Sequence, residues 1–185
     1  MFKKFSTKEL VFLALIGAIV FAFDLIIVSG IDAMIGVAGS GMMIDTIFVI
    51  AITIIGGLVV RKFGAYTLLS FIYTLLAVPT NIVGPPGLYK VAIGIIMGLF
   101  ADIIILLFKY KPVGCYLCLP LANALAFPVL LYTMIAMNLP GTDALMKYVW
   151  VFLGISFVEG LIGAWLGMKL YERIKNRQII KQIEV

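Results

Sequence analysis

Six long apolar stretches, separated by short polar segments, dominate the pattern of residues along the chain. They span residues 10–28, 42–60, 64–78, 87–108, 113–137 and 144–170. Each is near the ~20 residues that an α-helix rising 1.5 Å per residue needs to cross about 30 Å of hydrocarbon. The pattern predicts an all-α membrane protein, a compact bundle of six transmembrane helices that forms a single domain over residues 1–185.

The positive charges fall on one side of this predicted bundle. Only Lys90 and Lys147 lie on the other side. The remaining cationic residues are Lys3, Lys4, Lys8, Arg61, Lys62, Lys109, Lys111, Lys169, Arg173, Lys175, Arg177 and Lys181. Because Lys and Arg concentrate on the cytoplasmic side and the number of crossings is even, we expect both termini in the cytoplasm and the bundle in the plasma membrane.

Composition narrows the function classes. The chain is 64% hydrophobic, whereas apolar residues make up roughly half of a soluble domain. The net charge of +5 follows the topology, so the basic tail suits lipid headgroups and not nucleic acid. The chain has no histidine, which excludes His-based acid–base catalysis and His-ligated metal sites. It also has no P-loop, so ATP-driven work would need a partner, and we expect no cofactor or metal.

Cys115 and Cys118 form a Cys-x-x-Cys at the cytoplasmic start of the predicted fifth helix. This spacing supports either a redox dithiol or half of a zinc site. No second pair completes a metal site, and the expected compartment is reducing. The simpler interpretation is one helical turn of small apolar residues.

The predicted outer loops cover residues 29–41, 79–86 and 138–143, and the predicted inner loops, 61–63 and 109–112, are shorter. The first outer loop is rich in glycine, and the second contains three prolines that restrict its backbone. The outer loops therefore have more room for specialised structure.

Three polar residues are expected at one depth inside the membrane. Asp102 and Glu159 each lie ~15 residues from the outer end of their helices, about 22 Å, and Asn123 reaches a similar level from the inner end of its own helix. Ionisable groups at this depth are costly and usually face the protein interior. We expect one polar cluster, and the alternative is that the acids serve only as interhelical hydrogen bonds.

A second polar set lies nearer the outside and outlines an outward-facing pocket. Trp150 is deep enough to stack on a flat ligand, although a belt role at the membrane interface is the alternative. Lys90 is expected to pair with Asp45 or Asp24, and the excess of acids favours a neutral or cationic ligand. The candidate ligand-binding residues from both sets are Asp45, Asn81, Tyr89, Lys90, Asn123, Tyr132, Trp150 and Glu159.

Small residues recur at four-residue spacing on three helices. Ala14, Ala18 and Ala22 share one face of the first helix, which suits either packing within the bundle or docking onto another membrane protein. The pair Gly94 and Gly98 continues to Asp102, and Glu159 continues to Gly163 and Gly167. These two faces predict packing of the fourth and sixth helices around a polar spot.

At this point the chain resembles a known family. Its six short helices, cytoplasmic termini, length and alanine stripe are similar to the substrate-binding S components of energy-coupling-factor (ECF) vitamin transporters. The stretch Val60-Arg61-Lys62-Phe63-Gly64-Ala65, the Gly84-Pro85-Pro86 loop and Gly94-x-x-x-Gly98-x-x-Ala101-Asp102 resemble the branch for thiamin or its hydroxymethylpyrimidine precursor.

The resemblance implies a division of labour. The S component would bind a vitamin from outside with its fourth to sixth helices and outer loops. Ala14, Ala18 and Ala22 would dock onto a transmembrane coupling subunit driven by two ATPases, and the S component would reorient in the membrane to deliver its ligand.

Two other hypotheses stay open at the level of sequence. One is a stand-alone ion-coupled secondary transporter or channel that uses Asp102 and Glu159 as proton carriers. The other is a membrane enzyme with Cys115 and Cys118 as its dithiol.

Overall fold

A computed structural model describes residues 4–35, 41–82, 84–138, 142–178 and 180. This part of the chain forms α-helices joined by turns, with no strand among the described residues. The helices are α1 (Thr7–Ile35), α2 (Met42–Val60), α3 (Ala65–Ala77), α4 (Tyr89–Leu107), α5 (Pro112–Ala136), α6 (Thr142–Lys147) and α7 (Val149–Ile174). Parts of the predicted outer loops 29–41, 79–86 and 138–143, together with Lys3 and Lys181, lie outside the described residues.

Two of the predicted boundaries are wrong. The helix predicted to end at residue 28 continues to Ile35, so the first half of the predicted outer loop is helical. Gly41 lies against the backbone of Val28, and α1 therefore extends about 10 Å past the start of α2. The segment predicted at 144–170 consists of the end of α6 and most of α7, which are separated at Tyr148.

The helices and their surface are those of a membrane protein. Over the described residues, four helical stretches are long and apolar enough to cross a bilayer: Thr7–Ile31, Tyr89–Leu107, Pro112–Ala136 and Val149–Ile174. The helical stretches Asp45–Val60 and Ala65–Ala77 are apolar but shorter. Large apolar side chains such as Ile26 and Leu107 are more than two-thirds exposed on the outside of the bundle, where lipid can cover them.

The six long helices pack in a closed ring. Along the ring the order is α1, α2, α7, α5, α4, α3 and back to α1, each helix contacting the next. We call the end where α1 finishes and α2 begins the open end, and the end where α2 finishes and α3 begins the closed end. The predicted outer loops belong to the open end and the predicted inner loops to the closed end.

Glycines let neighbouring helices of the ring approach closely. A Cβ at Gly98 would lie 2.4 Å from the Cα of Thr67 on α3, and one at Gly167 would lie 2.6 Å from the carbonyl oxygen of Ala51 on α2. The predicted packing of these two glycine faces around a shared polar spot is therefore wrong. The glycines of α4 pack against α3, and those of α7 pack against α2. Each helix packs against its neighbour in the ring, and α4 and α7 are not neighbours.

The closed end holds the tightest part of the core. A cluster of buried residues from α2, α3, α4, α5 and α7 fills the centre of the ring there, including Ile54, Tyr66 and Ile105. At the start of α1, Ser6 and Glu9 form a capping box, and Glu9 also pairs with Lys62 at 2.7 Å. These contacts join the N-terminus of α1 to the α2–α3 turn.

Candidate ligand-binding site

A cavity of about 460 Å³ occupies the centre of the ring in the half nearer the open end. All six long helices line it, as does Ile82 from the segment between α3 and α4. Ile50 and Leu119 belong both to the cavity lining and to the buried core of the closed end, so the core forms the cavity floor. This volume is in the range of sites for small organic ligands.

The lining combines apolar walls with a limited set of polar groups. Its polar side chains are Asp24, Asp45, Thr46, Thr53, Ser70, Tyr73, Thr74, Asn123, Ser156 and Glu159. Three of the predicted binding residues, Asp45, Asn123 and Glu159, are therefore brought together around one space. Whether they contact a ligand stays a prediction.

Asp24 and Asp45 form the most buried polar group of the cavity wall. Their side chains are only 2% and 3% exposed, and their carboxyl groups are in contact. The hydroxyl of Tyr73 donates a hydrogen bond to Asp24. The Asp45 Oδ1 atom is buried and accepts no hydrogen bond from a donor group of the described residues. Since carboxylates are acceptors only, the contact between the two is favourable only with a proton on one of them.

Asn123 and Glu159 lie on α5 and α7 and face the same space. The Asn123 amide donates to the backbone carbonyl of Ser156 across a distance of 3.4 Å, which leaves its side-chain oxygen available as an acceptor. In the described part of the chain, no hydrogen bond or ion pair engages the Glu159 carboxyl group. The α5–α7 side of the cavity thus offers a carboxyl group and an amide oxygen that can accept a hydrogen bond.

Two stacked phenylalanines on this side were missed by the sequence reasoning. The rings of Phe127 and Phe152 lie 5.6 Å apart between centroids, with an interplanar angle of 23°, and both line the cavity. Their spacing in the sequence could have indicated that they line the cavity. Phe127 follows Asn123 by four residues and Phe152 precedes Glu159 by seven, so each shares a helical face with a polar cavity residue.

Five predicted binding residues lie outside the cavity lining: Asn81, Tyr89, Lys90, Tyr132 and Trp150. Asn81 is exposed, and Tyr132 and Trp150 are 75% and 81% exposed on the outside of the bundle, which suits the interfacial belt role. The Tyr89 hydroxyl donates to the carbonyl of Pro85 at 2.6 Å and so braces the α3–α4 segment. Their predicted role in binding is untested.

Lys90 does not form the predicted ion pair with Asp45 or Asp24. Its ammonium group is fully buried and donates to the carbonyl oxygens of Ala77, Thr80 and Ile82, at 3.1, 2.7 and 2.6 Å. These bonds use all three donors of the ammonium group. Backbone carbonyl oxygens at and after the end of α3 bind the ammonium group in place of a carboxylate. They are available because the last carbonyl groups of a helix have no intrahelical partners.

Asp102 is also separate from the cavity, so the predicted cluster of Asp102, Asn123 and Glu159 does not form. Its fully buried carboxyl group accepts hydrogen bonds from the backbone nitrogens of Tyr66 and Thr67 at 3.2 and 2.9 Å, and from the Thr67 hydroxyl at 2.6 Å. Gly64, at the N-cap of α3, has no side chain that caps the helix. Asp102 on α4 therefore caps α3 from a neighbouring helix.

The remaining candidate features lie on the surface of α1 and in the core. Ala14 and Ala22 are exposed and Ala18 is half-buried, so the stripe faces largely outward. The stripe therefore does not pack mainly inside the bundle, and its docking onto another protein stays a prediction. Cys115 and Cys118 are buried in the core of the closed end, as the simpler interpretation expects. No group of potential metal ligands occurs among the described residues.

Comparison with known proteins gives a likeness of fold. The structure is similar to the crystal structure of an S-component of an ECF transporter, with a TM-score of 0.67 and 19% sequence identity over 97% of this chain and 90% of that chain. No protein-family model and no curated protein matches the chain. The chain therefore has the fold of an S-component of an ECF transporter.

Proposed function

We propose that this chain is the membrane-embedded binding subunit of an ECF-type importer. In this proposal it captures thiamin, its hydroxymethylpyrimidine precursor or a related small heterocycle from the extracellular side. The observation that carries the proposal is the cavity at the centre of the ring, in a bundle with the S-component fold. Stacked phenylalanines and a few hydrogen-bonding groups suit a small heteroaromatic ligand.

The shape of the cavity supports binding of a ligand more than passage of a solute through this chain alone. Its floor is the buried, largely apolar core of the closed end. Asp102, the other acid invoked for an ion-coupled transporter, is engaged by three donors at the start of α3. A subunit that holds its ligand and relies on partners for energy fits this arrangement.

The proposed orientation follows the charges. The open end carries the predicted outer loops, so the cavity lies in the extracellular half of the membrane if the positively charged closed end faces the cytoplasm. Six membrane crossings with both termini in the cytoplasm then follow. α3, with thirteen residues, spans about 20 Å and crosses with the help of its flanking turns.

The proposed partners are a transmembrane coupling subunit and two ATPase subunits. The outward-facing alanines of α1 would contact the coupling subunit, since small residues permit close approach of helices in lipid. Replacing Ala14 and Ala22 with leucine should abolish co-purification with the coupling subunit and leave ligand binding unchanged. Gly154→Leu is the matched control, because a Cβ at exposed Gly154 meets no atom within 4 Å.

A cavity-filling variant tests the binding function. Ser156 lines the cavity on α7, and Gly154 lies on the outside of the same helix. The purified protein should gain thermal stability on titration with one of a panel of vitamins and precursors. Ser156→Phe should remove that gain, and Gly154→Leu should keep it.

Two outcomes would contradict the proposal. The first is the absence of stabilisation by every compound of the panel together with no association with a coupling subunit. The second is ion-coupled uptake by liposomes that contain this chain alone, which would establish an independent transporter.

A further inference from the structure

We infer that the ligand is a cation that also places a hydrogen-bond donor between Asp45 and Glu159, beside Asp24. This inference rests on the proposed function and names the chemical class of its ligand. The class is an organic cation with a flat ring, as opposed to a neutral or anionic vitamin.

The first observation is the unpartnered oxygen of Asp45. The side chain is 97% buried, lines the cavity and leaves Oδ1 without a hydrogen bond among the described residues. A buried acceptor without a donor is costly, and more so when it carries a charge. A ligand that donates a hydrogen bond here would remove that cost, so the protein is arranged to gain on binding.

The second observation is the register of α7 against α2. Gly163 lies against the carbonyl of Ile47, and Gly167 lies against that of Ala51, so the two helices run in parallel with a constant offset. The same offset places Glu159 at the level of residue 43, two residues or about 3 Å along the axis from Asp45. Asp24 lies at this level too, because its carboxyl group contacts Asp45. Three acids on consecutive helices of the ring thus share one depth.

The third observation is the charge balance of the lining. The titratable side chains that line the cavity are Asp24, Asp45, Glu159 and Tyr73, with no Lys or Arg among the lining residues. Lys90, which contacts the carbonyl oxygen of the cavity-lining Ile82, has all three donors on backbone carbonyls. A negatively charged ligand would meet acids without compensation, whereas a cation would neutralise them.

The aromatic side chains of the cavity indicate where the ring of the ligand would bind. Phe127 and Phe152 lie on α5 and α7, and the Asn123 oxygen lies on α5 beside them. A flat ring stacked on this wall would place a cationic substituent toward α1 and α2. A thiazolium attached to an aminopyrimidine has both parts.

The test uses vitamins of different charge as probes at equal concentration. Thiamin is the cation, riboflavin the neutral compound and biotin the anion, and dissociation constants are measured on the purified full-length protein. We expect binding of thiamin only. Asp45→Asn and Glu159→Gln should each weaken its binding about tenfold or more, and Glu172→Gln, an exposed acid of a surface ion pair, should not change it.

Apo stability provides a second measurement. Because Asp45 faces another acid and has an unpartnered oxygen, Asp45→Asn should leave the melting temperature of the ligand-free protein unchanged or higher while weakening binding. A purely structural role for Asp45 predicts the reverse. If Asp45→Asn fails to fold, Glu159→Gln carries the test, since the Glu159 carboxyl group has no described contact to lose.

The outcomes separate the two proposals. If none of a wider vitamin panel stabilises the protein, the proposed function fails. If a neutral or anionic vitamin binds as tightly as any cation, or if the two acid variants bind the cation like the wild type, the inference is overturned. It is also overturned if NaCl, but not the same concentration of N-methylglucamine chloride, reproduces the full stabilisation, because the acids would then hold an inorganic cation.

Discussion

The hydrogen bonds of Asp102 give the sharpest stability prediction. This carboxyl group caps α3 from α4 through the backbone nitrogens of Tyr66 and Thr67 and through the Thr67 hydroxyl. Replacing Asp102 with alanine would leave two backbone donors in the first turn of α3 without an acceptor in a site that excludes water. At about 1–3 kcal/mol for each unsatisfied donor, the expected loss is about 4 kcal/mol of unfolding free energy.

For a protein of this size, 1 kcal/mol changes the melting temperature by about 2–4 °C, so Asp102→Ala should lower it by about 10 °C. Asp102→Asn retains one acceptor oxygen and should lose roughly half as much. The assay is thermal unfolding of the purified protein in detergent without ligand. Glu172→Ala, which breaks an exposed ion pair with Lys175, is the control and should have little effect.

Ligand binding decides between the structural and the transport role of Asp102. Because Asp102 lies outside the cavity lining, Asp102→Asn should bind the stabilising vitamin with an unchanged dissociation constant at a temperature where it is folded. An Asp102→Asn protein that melts like the wild type but loses transport in the assembled system would refute the capping argument. It would favour the proton-carrier hypothesis instead.

Three further predictions concern other parts of the bundle. Lys90→Met should lower the melting temperature by about 10 °C or more and weaken ligand binding, because it removes three hydrogen bonds to a charged group, each worth about 1.5–3 kcal/mol, that hold the segment between α3 and α4. Gly98→Leu should prevent folding, as measured by size-exclusion chromatography, because its Cβ would overlap α3. Double replacement of Cys115 and Cys118 with alanine should leave ligand binding intact and cost only the packing of two small side chains, which titration and thermal unfolding would measure.

Matched variants control these measurements. Lys147→Met removes an exposed cation of the open end and should change neither stability nor binding. Gly154→Leu adds the same side chain as Gly98→Leu to open space and should fold. A stable Gly98→Leu protein would contradict the close α3–α4 approach, and loss of binding in the double cysteine variant would revive the dithiol hypothesis.

Sequence reasoning located most of the helices because apolar length is a local property. α2 was predicted to the residue, and α3, α4 and α5 within two residues at each end. The end of α1 was misplaced because glycine and serine lower helix propensity without forbidding a helix. Depth counted along a helix also indicated that Asn123 and Glu159 lie deep in the bundle.

The partners of the polar residues were less predictable. Lys90 was assigned to an acid, but backbone carbonyls bind it, and backbone acceptors have no sequence signature. Asp102 and Glu159 were predicted at one depth, but Asp102 lies beside the start of α3 at the closed end, and Glu159 lines the cavity in the half nearer the open end. The two acids also face different neighbours, because α4 packs on α3 and α7 packs on α2. The binding residues predicted from the interface, Tyr132 and Trp150, lie on the outside of the bundle, since depth does not specify the direction of a side chain.

The sequence by itself determined the membrane environment, the helices and the expected orientation, because hydropathy and charge act residue by residue against lipid and water. Only the tertiary structure decided that the six long helices close into a ring, that the half nearer the open end contains a cavity, and that Asp24, Asp45 and Glu159 line it. These features depend on which helix faces which, and glycine contacts and ring order between distant segments set that arrangement.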